Sequence, residues 1–186
     1  MAIWNELEGR LDSYTWDGND FKKPRPEDLD RFEAENGLKL PDDYREFALA
    51  FGPGTFVGGW GFLTPGFPED SRVDLGGFLK WWREAIGQDD PEARFVLFCE
   101  KEDFHGRWGW DPAVVTDPER HEYAIFLVGD HGPPIRVASG FKEFVLSYVL
   151  GGGFERQYYN DTDARGQLGE AGNIGYVQGP IDGHEG

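Results

Sequence analysis

Few residues in this 186-residue chain have the types and spacing that chemistry requires. No two of its four histidines stand at i and i+4, the spacing by which one helix presents a histidine pair to a metal. They are His105, His121, His131 and His184. Cys99 lies in the apolar run FVLFC, which indicates a small buried side chain. It is the single cysteine of the sequence, so no intramolecular disulfide can form. We therefore predict no metal site and no cofactor.

Motifs of nucleophilic and phosphate chemistry are also missing. There is no Gly-x-Ser-x-Gly sequence, and Ser139 precedes an apolar helical pattern, where serine is typical of a helix cap. The glycine-rich stretches GGWG and GGG lack the Lys-Ser or Lys-Thr pair of a phosphate-binding loop. The adjacent carboxylates at 42–43 and 89–90 lie at a predicted helix start and in a predicted loop, where solvated negative charge is favourable. The sequence thus predicts no catalytic residues and a protein that is not an enzyme.

Charge narrows the choice of partner. Asp and Glu number 35 against 18 Lys and Arg, so the formal net charge is -17. Because phosphate groups are bound by cations, we expect neither a nucleic acid nor an anionic membrane surface as a partner. A basic protein is favoured electrostatically, although solubility alone is an alternative reason for the charge.

Two observations predict a cytoplasmic protein. The first residues, MAIWNELEGR, lack the basic start and apolar stretch of a secretory signal. No apolar run reaches the ~20 residues that a membrane-spanning helix needs.

The hydrophobic spacing predicts helices, then strands, then a last helix. Helical patterns cover 3–11, 26–36, 41–51, 75–87 and 141–153, with a loop over 13–26. Strand patterns occur at 55–63, as one strand or a pair, and at 93–102, 107–111, 123–130 and 134–138. This order predicts a single α+β domain, an antiparallel sheet with helices packed against it. From residue 154 onward apolar residues are sparse, which predicts a Gly- and polar-rich C-terminal tail over 154–186.

The stretch ENGLKLPDDYREFALAFGPG, residues 35–54, predicts two helices joined by a short extended link. Gly37 is placed to cap the first helix. Leu40 is held extended by Pro41, which opens the second helix. In that helix Tyr44 and Phe47 lie on one apolar face. Both apolar faces can therefore turn toward one core.

This stretch resembles the signature region of the SUKH superfamily, in which a helix ending near a Glu is followed by a small-Leu-x-Leu-Pro link and a Tyr-x-x-Phe helix. The matching residues are Glu35, Gly37, Leu38, Leu40, Pro41, Tyr44, Phe47 and Gly54. Downstream, FLVGDHGPPIRVASGFKEFV is similar to the late strand pair and Ser-x-Phe-x-x-Phe helix of that family, with Ser139 and Phe144 in place. The resemblance covers about 24–150 and implies a SUKH-like domain over 1–153.

The resemblance also implies a function. SUKH proteins are chiefly immunity proteins of bacterial polymorphic-toxin systems, which bind and block a cognate toxin, often a nuclease or deaminase. Other members act in cell-wall synthesis and signalling. The expected function is therefore a non-enzymatic protein-binding module, a monomer or weak dimer, that neutralises a basic toxin domain. The alternative is a regulatory or scaffold protein that acts through protein–protein contacts.

Acidic loops and off-stripe aromatics are the candidate partner surface. Three loops that flank the helix at 75–87 and its neighbouring strands carry the densest carboxylates, and we expect them to share one rim: Glu69 and Asp70; Asp89 and Asp90; Glu102 and Asp103. Trp81 lies off the apolar stripe that contains Trp82, so it either covers a second apolar layer or faces a partner. Trp108 shares one side of a strand with Trp110, and the spacing allows either core packing or an interface role.

Overall fold

The computed structural model describes Trp4, Leu7 and residues 11–15, 23–56, 58–68, 73–102, 104–129, 132–159 and 174–178. Its helices are α1 (Pro26–Asn36), α2 (Asp42–Phe51), α3 (Leu75–Ile86), α4 and α5 (Gly153–Tyr158). α4 starts as an α-helix over Phe141–Glu143 and continues as a π-helix over Phe144–Val149. A short 3-10 turn, Pro91–Arg94, follows α3.

The strands form one eight-stranded sheet in the order β1-β8-β2-β3-β4-β5-β6-β7. They are β1 (Leu11–Thr15), β2 (Gly54–Phe56), β3 (Trp60–Phe62), β4 (Val96–Lys101), β5 (Phe104–Asp117), β6 (Glu122–Gly129), β7 (Ile135–Ala138) and β8 (Ile174–Gln178). β2 to β7 are sequential antiparallel neighbours, β8 is antiparallel to β2, and β1 is parallel to β8. The predicted α+β class is confirmed, and the pattern at 55–63 proves to be a strand pair.

Helices pack against both faces of the sheet. Side chains along a strand alternate between the two faces, so neighbouring residues of one strand belong to different clusters. On β4, Val96 and Phe98 belong to the main core with α2 and α4. Phe95, just before β4, and Leu97 belong to a second cluster with Trp82 of α3. α3 therefore contributes Trp82 to the cluster on the second face, while Leu75 and Leu79 near its start join the main core.

The link between α1 and α2 has the predicted form and is bound to α1 by a buried glutamate. Gly37 ends α1 in the left-handed conformation (φ 62°), and Leu40 and Pro41 are buried. Glu35 is exposed, whereas the buried Glu33 accepts a hydrogen bond from the Leu40 amide at 3.1 Å. The buried carboxylate at this link is therefore that of Glu33. The helical period explains this, because Glu33 lies beside the buried faces of Leu29 and Phe32.

Ser139 does not cap α4 through its side chain, contrary to the prediction. Its hydroxyl oxygen accepts a hydrogen bond from Arg136 (3.0 Å), and the residue preceding the helix is Gly140. The Phe141 amide donates instead to Oε2 of Glu122, at 3.1 Å. The other oxygen of Glu122 accepts from the Asp43 amide of α2, at 3.0 Å. One buried carboxylate thus ties the N-termini of α2 and α4 together.

The domain continues past the boundary predicted at 153. Phe154 of α5 is fully buried, 5.2 Å from the Trp60 ring and 5.1 Å from the Phe104 ring. β8 adds residues 174–178 to the sheet, and the remaining residues of the predicted tail lie outside the described residues. Near the N-terminus, helical Trp4 and Leu7 agree with the prediction, but β1 occupies residues that we had assigned to the loop over 13–26. Sheet pairing with a distant strand is not visible in local hydrophobic spacing.

Asp74 anchors the start of α3, as its place before the helix suggests. Its Oδ2 accepts from the Gly77 amide (2.7 Å), and its Oδ1 accepts from the amides of Gly66 and Phe67 (3.1 Å each). Burial raises the pKa of this carboxyl.

Replacing Asp74 with alanine should lower the free energy of unfolding by about 2 kcal/mol, because it removes a cap and leaves loop amides without an acceptor. Urea unfolding measures this. Asp74→Asn keeps an acceptor oxygen, so it should lose less than Asp74→Ala. Equal urea midpoints for wild type and Asp74→Ala would contradict the capping role.

Candidate functional site

The outer face of α3 presents the most exposed tryptophan of the described surface. Trp81 is 51% exposed, whereas the adjacent Trp82 is only 7% exposed. Neighbouring residues on a helix diverge by about 100°, so only one of the two can face the sheet. This confirms that Trp81 lies off the buried stripe.

The ring of Trp81 is held in place by its surroundings. It packs against Phe78 with ring centroids 5.4 Å apart. The Arg107 guanidinium carbon lies 5.8 Å from the Trp81 ring, 5.6 Å from Phe78 and 5.5 Å from Trp82. Arg107 Nε is 3.9 Å from a carboxylate oxygen of Glu100. Cation–π contacts of this kind orient both partners. One side of the Trp81 ring therefore packs on Phe78 and Arg107, while the other side is exposed to solvent.

Exposed carboxylates follow Trp81 along the chain. Glu84, one turn later on α3, is exposed, as are Asp89 and Asp90 just after the helix. Asp90 also accepts a hydrogen bond from the Glu92 amide at 2.8 Å, which opens the 3-10 turn. The predicted loop residues Asp89 and Asp90 therefore lie at the C-terminal end of the helix that carries Trp81.

The neighbouring cations are engaged, whereas two of these carboxylates are not. Arg83 Nε donates to the Ala93 carbonyl (3.1 Å), and burial lowers its pKa. Arg94 Nε donates to a carboxylate oxygen of the buried Asp111 at 2.7 Å. Within the described part of the chain, Glu84 and Asp89 form no hydrogen bond or ion pair through their side chains. The end of α3 therefore carries two carboxylates that are in no ion pair among the described residues.

The described residues include only part of the three acidic loops that we expect to share one rim. Glu102 is exposed just after β4, next to the β2–β3 turn, where its amide donates to the Gly59 carbonyl. Asp89 and Asp90 precede the 3-10 turn that leads into β4, whereas Glu102 follows the last residue of that strand. Glu69, Asp70 and Asp103 lie outside the described residues. Glu102 and the pair Asp89–Asp90 are thus on opposite sides of β4 along the chain, and the shared rim stays a prediction.

Trp108 is wrong as a surface candidate, because its side chain is fully buried. Its ring centroid lies 4.7 Å from that of Trp60 and 5.5 Å from that of Phe104. Trp110, on the same side of β5, is also fully buried. The strand spacing allowed either core packing or an interface role. Core packing is correct for both tryptophans.

The two histidines that the structure describes do not converge on a site. His105 and His121 are exposed, and His121 Nδ1 lies 3.4 Å from a carboxylate oxygen of Asp42. Among the described residues no group of three or more His, Cys, Asp or Glu is placed to hold a metal ion. His131 and His184 lie outside the described residues. Cys99 is buried, and that burial raises the pKa of its thiol.

Sequence reasoning missed two residues of the α3 surface. Glu84 stands three residues after Trp81, the spacing that places side chains on one face of a helix, and this signal was available. Arg107 gave no such signal, because its contacts come from β5 crossing beneath α3.

Comparison with known families places this surface inside a recognised unit. The model of the SMI1 / KNR4 family (SUKH-1) matches residues 23–147, which run from just before α1 into α4 and include all of α3. The match leaves β1, α5 and β8 outside. No curated protein matches the chain. No helix among the described residues is both long enough and apolar enough to cross a membrane.

Proposed function

We propose, since this chain belongs to the SMI1 / KNR4 family (SUKH-1), that it is an immunity protein that binds and neutralises a bacterial toxin domain of nuclease or deaminase type. The observation that carries the proposal is the family match over residues 23–147. Members of this family mediate protein–protein interactions. The protein would act in the cytoplasm, where such toxins find their targets.

Charge supports the choice of partner. A domain that handles nucleic acid gathers Lys and Arg to bind phosphates. A chain with formal net charge -17 attracts such a domain over distance and accelerates its association. The two unengaged carboxylates at the end of α3 are of the sign that this attraction requires.

Neutralisation by binding needs no chemistry from this chain. A stoichiometric complex would either cover the catalytic cleft of the toxin or hold the toxin in an inactive conformation. The two modes differ in whether the bound toxin still binds its substrate. No catalytic residue, metal or cofactor enters the proposal.

The test begins with the tagged full-length protein, used to capture partners from a lysate of its native host at low and then moderate salt. Mass spectrometry should identify a basic toxin domain or a secreted protein that ends in one. That domain is then expressed in a bacterial host with and without this chain. Growth arrest by the toxin alone, relieved by co-expression, is the expected result.

The competing function is a regulatory or scaffold role in a cell-wall or signalling pathway, and the same experiment separates the two. Recovery of envelope or signalling proteins, with no toxin domain at either salt concentration, would overturn the immunity proposal. Failure of the chain to relieve growth arrest by the recovered toxin would also overturn it.

A further inference from the structure

We propose that the outer face of the second half of α3 is a docking surface for a basic segment of a protein partner. This surface, the α3 platform, consists of Trp81, Glu84, Asp89 and Asp90. Trp81 is its anchor, and the carboxylates select a partner segment that carries Arg or Lys. The inference rests on the proposed function only for the identity of that partner as a toxin.

Trp81 has the properties of an interface anchor. Half of its surface is open to solvent, yet Phe78 and Arg107 already fix the orientation of its ring. A side chain that is ordered before binding loses little conformational entropy when a partner covers it. Tryptophan is also among the residue types that contribute most at interface centres. Trp81 can therefore contribute binding energy without rearrangement of α3.

Three carboxylates lie after that anchor, on the second half of α3 and just beyond its end. Glu84 and Asp89 form no ion pair or hydrogen bond through their side chains among the described residues, and Asp90 is exposed next to Asp89. The nearby Arg83 and Arg94 are turned to the Ala93 carbonyl and to Asp111. The C-terminus of α3, at Ile86, adds the negative end of the helix dipole. A cationic segment that extends from Trp81 toward Asp89 would have two carboxylates without an ion pair, Glu84 and Asp89, available to it.

A second copy of this chain does not fit the same surface. Two copies would each bring a net charge of -17 to the contact, and like charges placed face to face are destabilising. Complementarity therefore favours a partner of opposite charge.

The test uses a defined probe, a twelve-residue peptide that alternates Gly and Arg, and a Gly–Glu peptide of equal length as the charge control. Binding to the full-length protein is measured by calorimetry at low ionic strength, and the tryptophan indole resonances are followed by NMR. Trp81→Ala is compared with Tyr159→Ala, because Tyr159 is another exposed aromatic, 67% exposed. Asp89→Lys is compared with Glu119→Lys, which changes the net charge equally at the exposed turn between β5 and β6.

We expect the Arg peptide to shift the Trp81 indole resonance more than that of any buried tryptophan. Trp81→Ala and Asp89→Lys should each weaken its binding about tenfold, whereas Tyr159→Ala and Glu119→Lys should change it less than about twofold. Thermal unfolding of each variant verifies that it is folded. Equal losses for Asp89→Lys and Glu119→Lys, or undiminished binding by Trp81→Ala, would overturn the docking surface.

The same variants, used in the lysate capture, separate this inference from the proposed function. If wild type and Trp81→Ala recover the same toxin domain equally well, the function stands and the surface is wrong. If the peptide binds at Trp81 but the wild-type protein recovers no toxin domain, the surface stands and the immunity function is wrong.

Discussion

Replacing Tyr44 with alanine should lower the free energy of unfolding by about 3–5 kcal/mol, because it opens a cavity where the main core meets the sheet. The Tyr44 side chain is fully buried, and its ring centroid lies 5.1 Å from that of Trp110 and 5.2 Å from that of Phe141. Its hydroxyl donates to the Leu63 carbonyl at 2.8 Å. Alanine would remove both the ring contacts and this hydrogen bond. Urea unfolding followed by circular dichroism gives the change.

Two further variants separate these contributions. Tyr44→Phe keeps the ring and removes only the hydrogen bond, so it should cost about 1 kcal/mol. Phe47→Ala, at an equally buried position 5.1 Å from Phe62, should fall in the same range as Tyr44→Ala. Trp81→Ala, at the surface, should change stability by less than about 0.5 kcal/mol. A urea midpoint near that of wild type for both Tyr44→Ala and Phe47→Ala would contradict the placement of α2 on the core.

Replacing Glu122 with alanine should lower the free energy of unfolding by about 2–4 kcal/mol, since it removes the acceptor of two backbone amides at once. Those amides belong to Asp43 and Phe141, the starts of α2 and α4. Glu122 is only 6% exposed, so water does not readily replace it. Glu122→Gln should lose less, because its one carbonyl oxygen still accepts from one of the two amides. Similar stability of wild type and Glu122→Ala in urea would show that the two helix starts find other acceptors.

The ionisation of Glu122 should make its contribution depend on pH. Burial raises the pKa of this carboxyl above its ordinary value of 4.5. The hydrogen bonds from the Asp43 and Phe141 amides lower the pKa and offset only part of that effect. The folded state therefore holds the proton more tightly than the unfolded state does. The stability gained from protonation is complete below about pH 4.5 and is lost as the pH rises through the folded-state pKa. The difference in unfolding free energy between wild type and Glu122→Gln should accordingly widen as the pH falls from 7 to about 4.5. A difference that does not depend on pH would contradict the raised pKa of Glu122.

Local spacing predicted the elements of this fold well, because the signals that define a helix or strand lie within a few residues of each other. Pro26, Gly37 and Asp74 mark helix ends where the structure has them. The apolar period of α2 placed Tyr44 and Phe47 on the buried face. The off-stripe position of Trp81 was likewise readable, since it depends only on the helical period.

Tertiary structure decided what depends on residues far apart in the chain. The capping of α4 by Glu122 joins positions 19 residues apart, and the pairing of β8 with β1 joins segments from near opposite ends of the chain. Whether Trp108 faced solvent depended on which helices covered β5. Residue types and their spacing were therefore enough to predict the family, most elements between residues 26 and 149, and the sign of the charge. Only packing decided which charged and aromatic side chains remain at the surface, because burial is set by neighbours that local spacing does not specify.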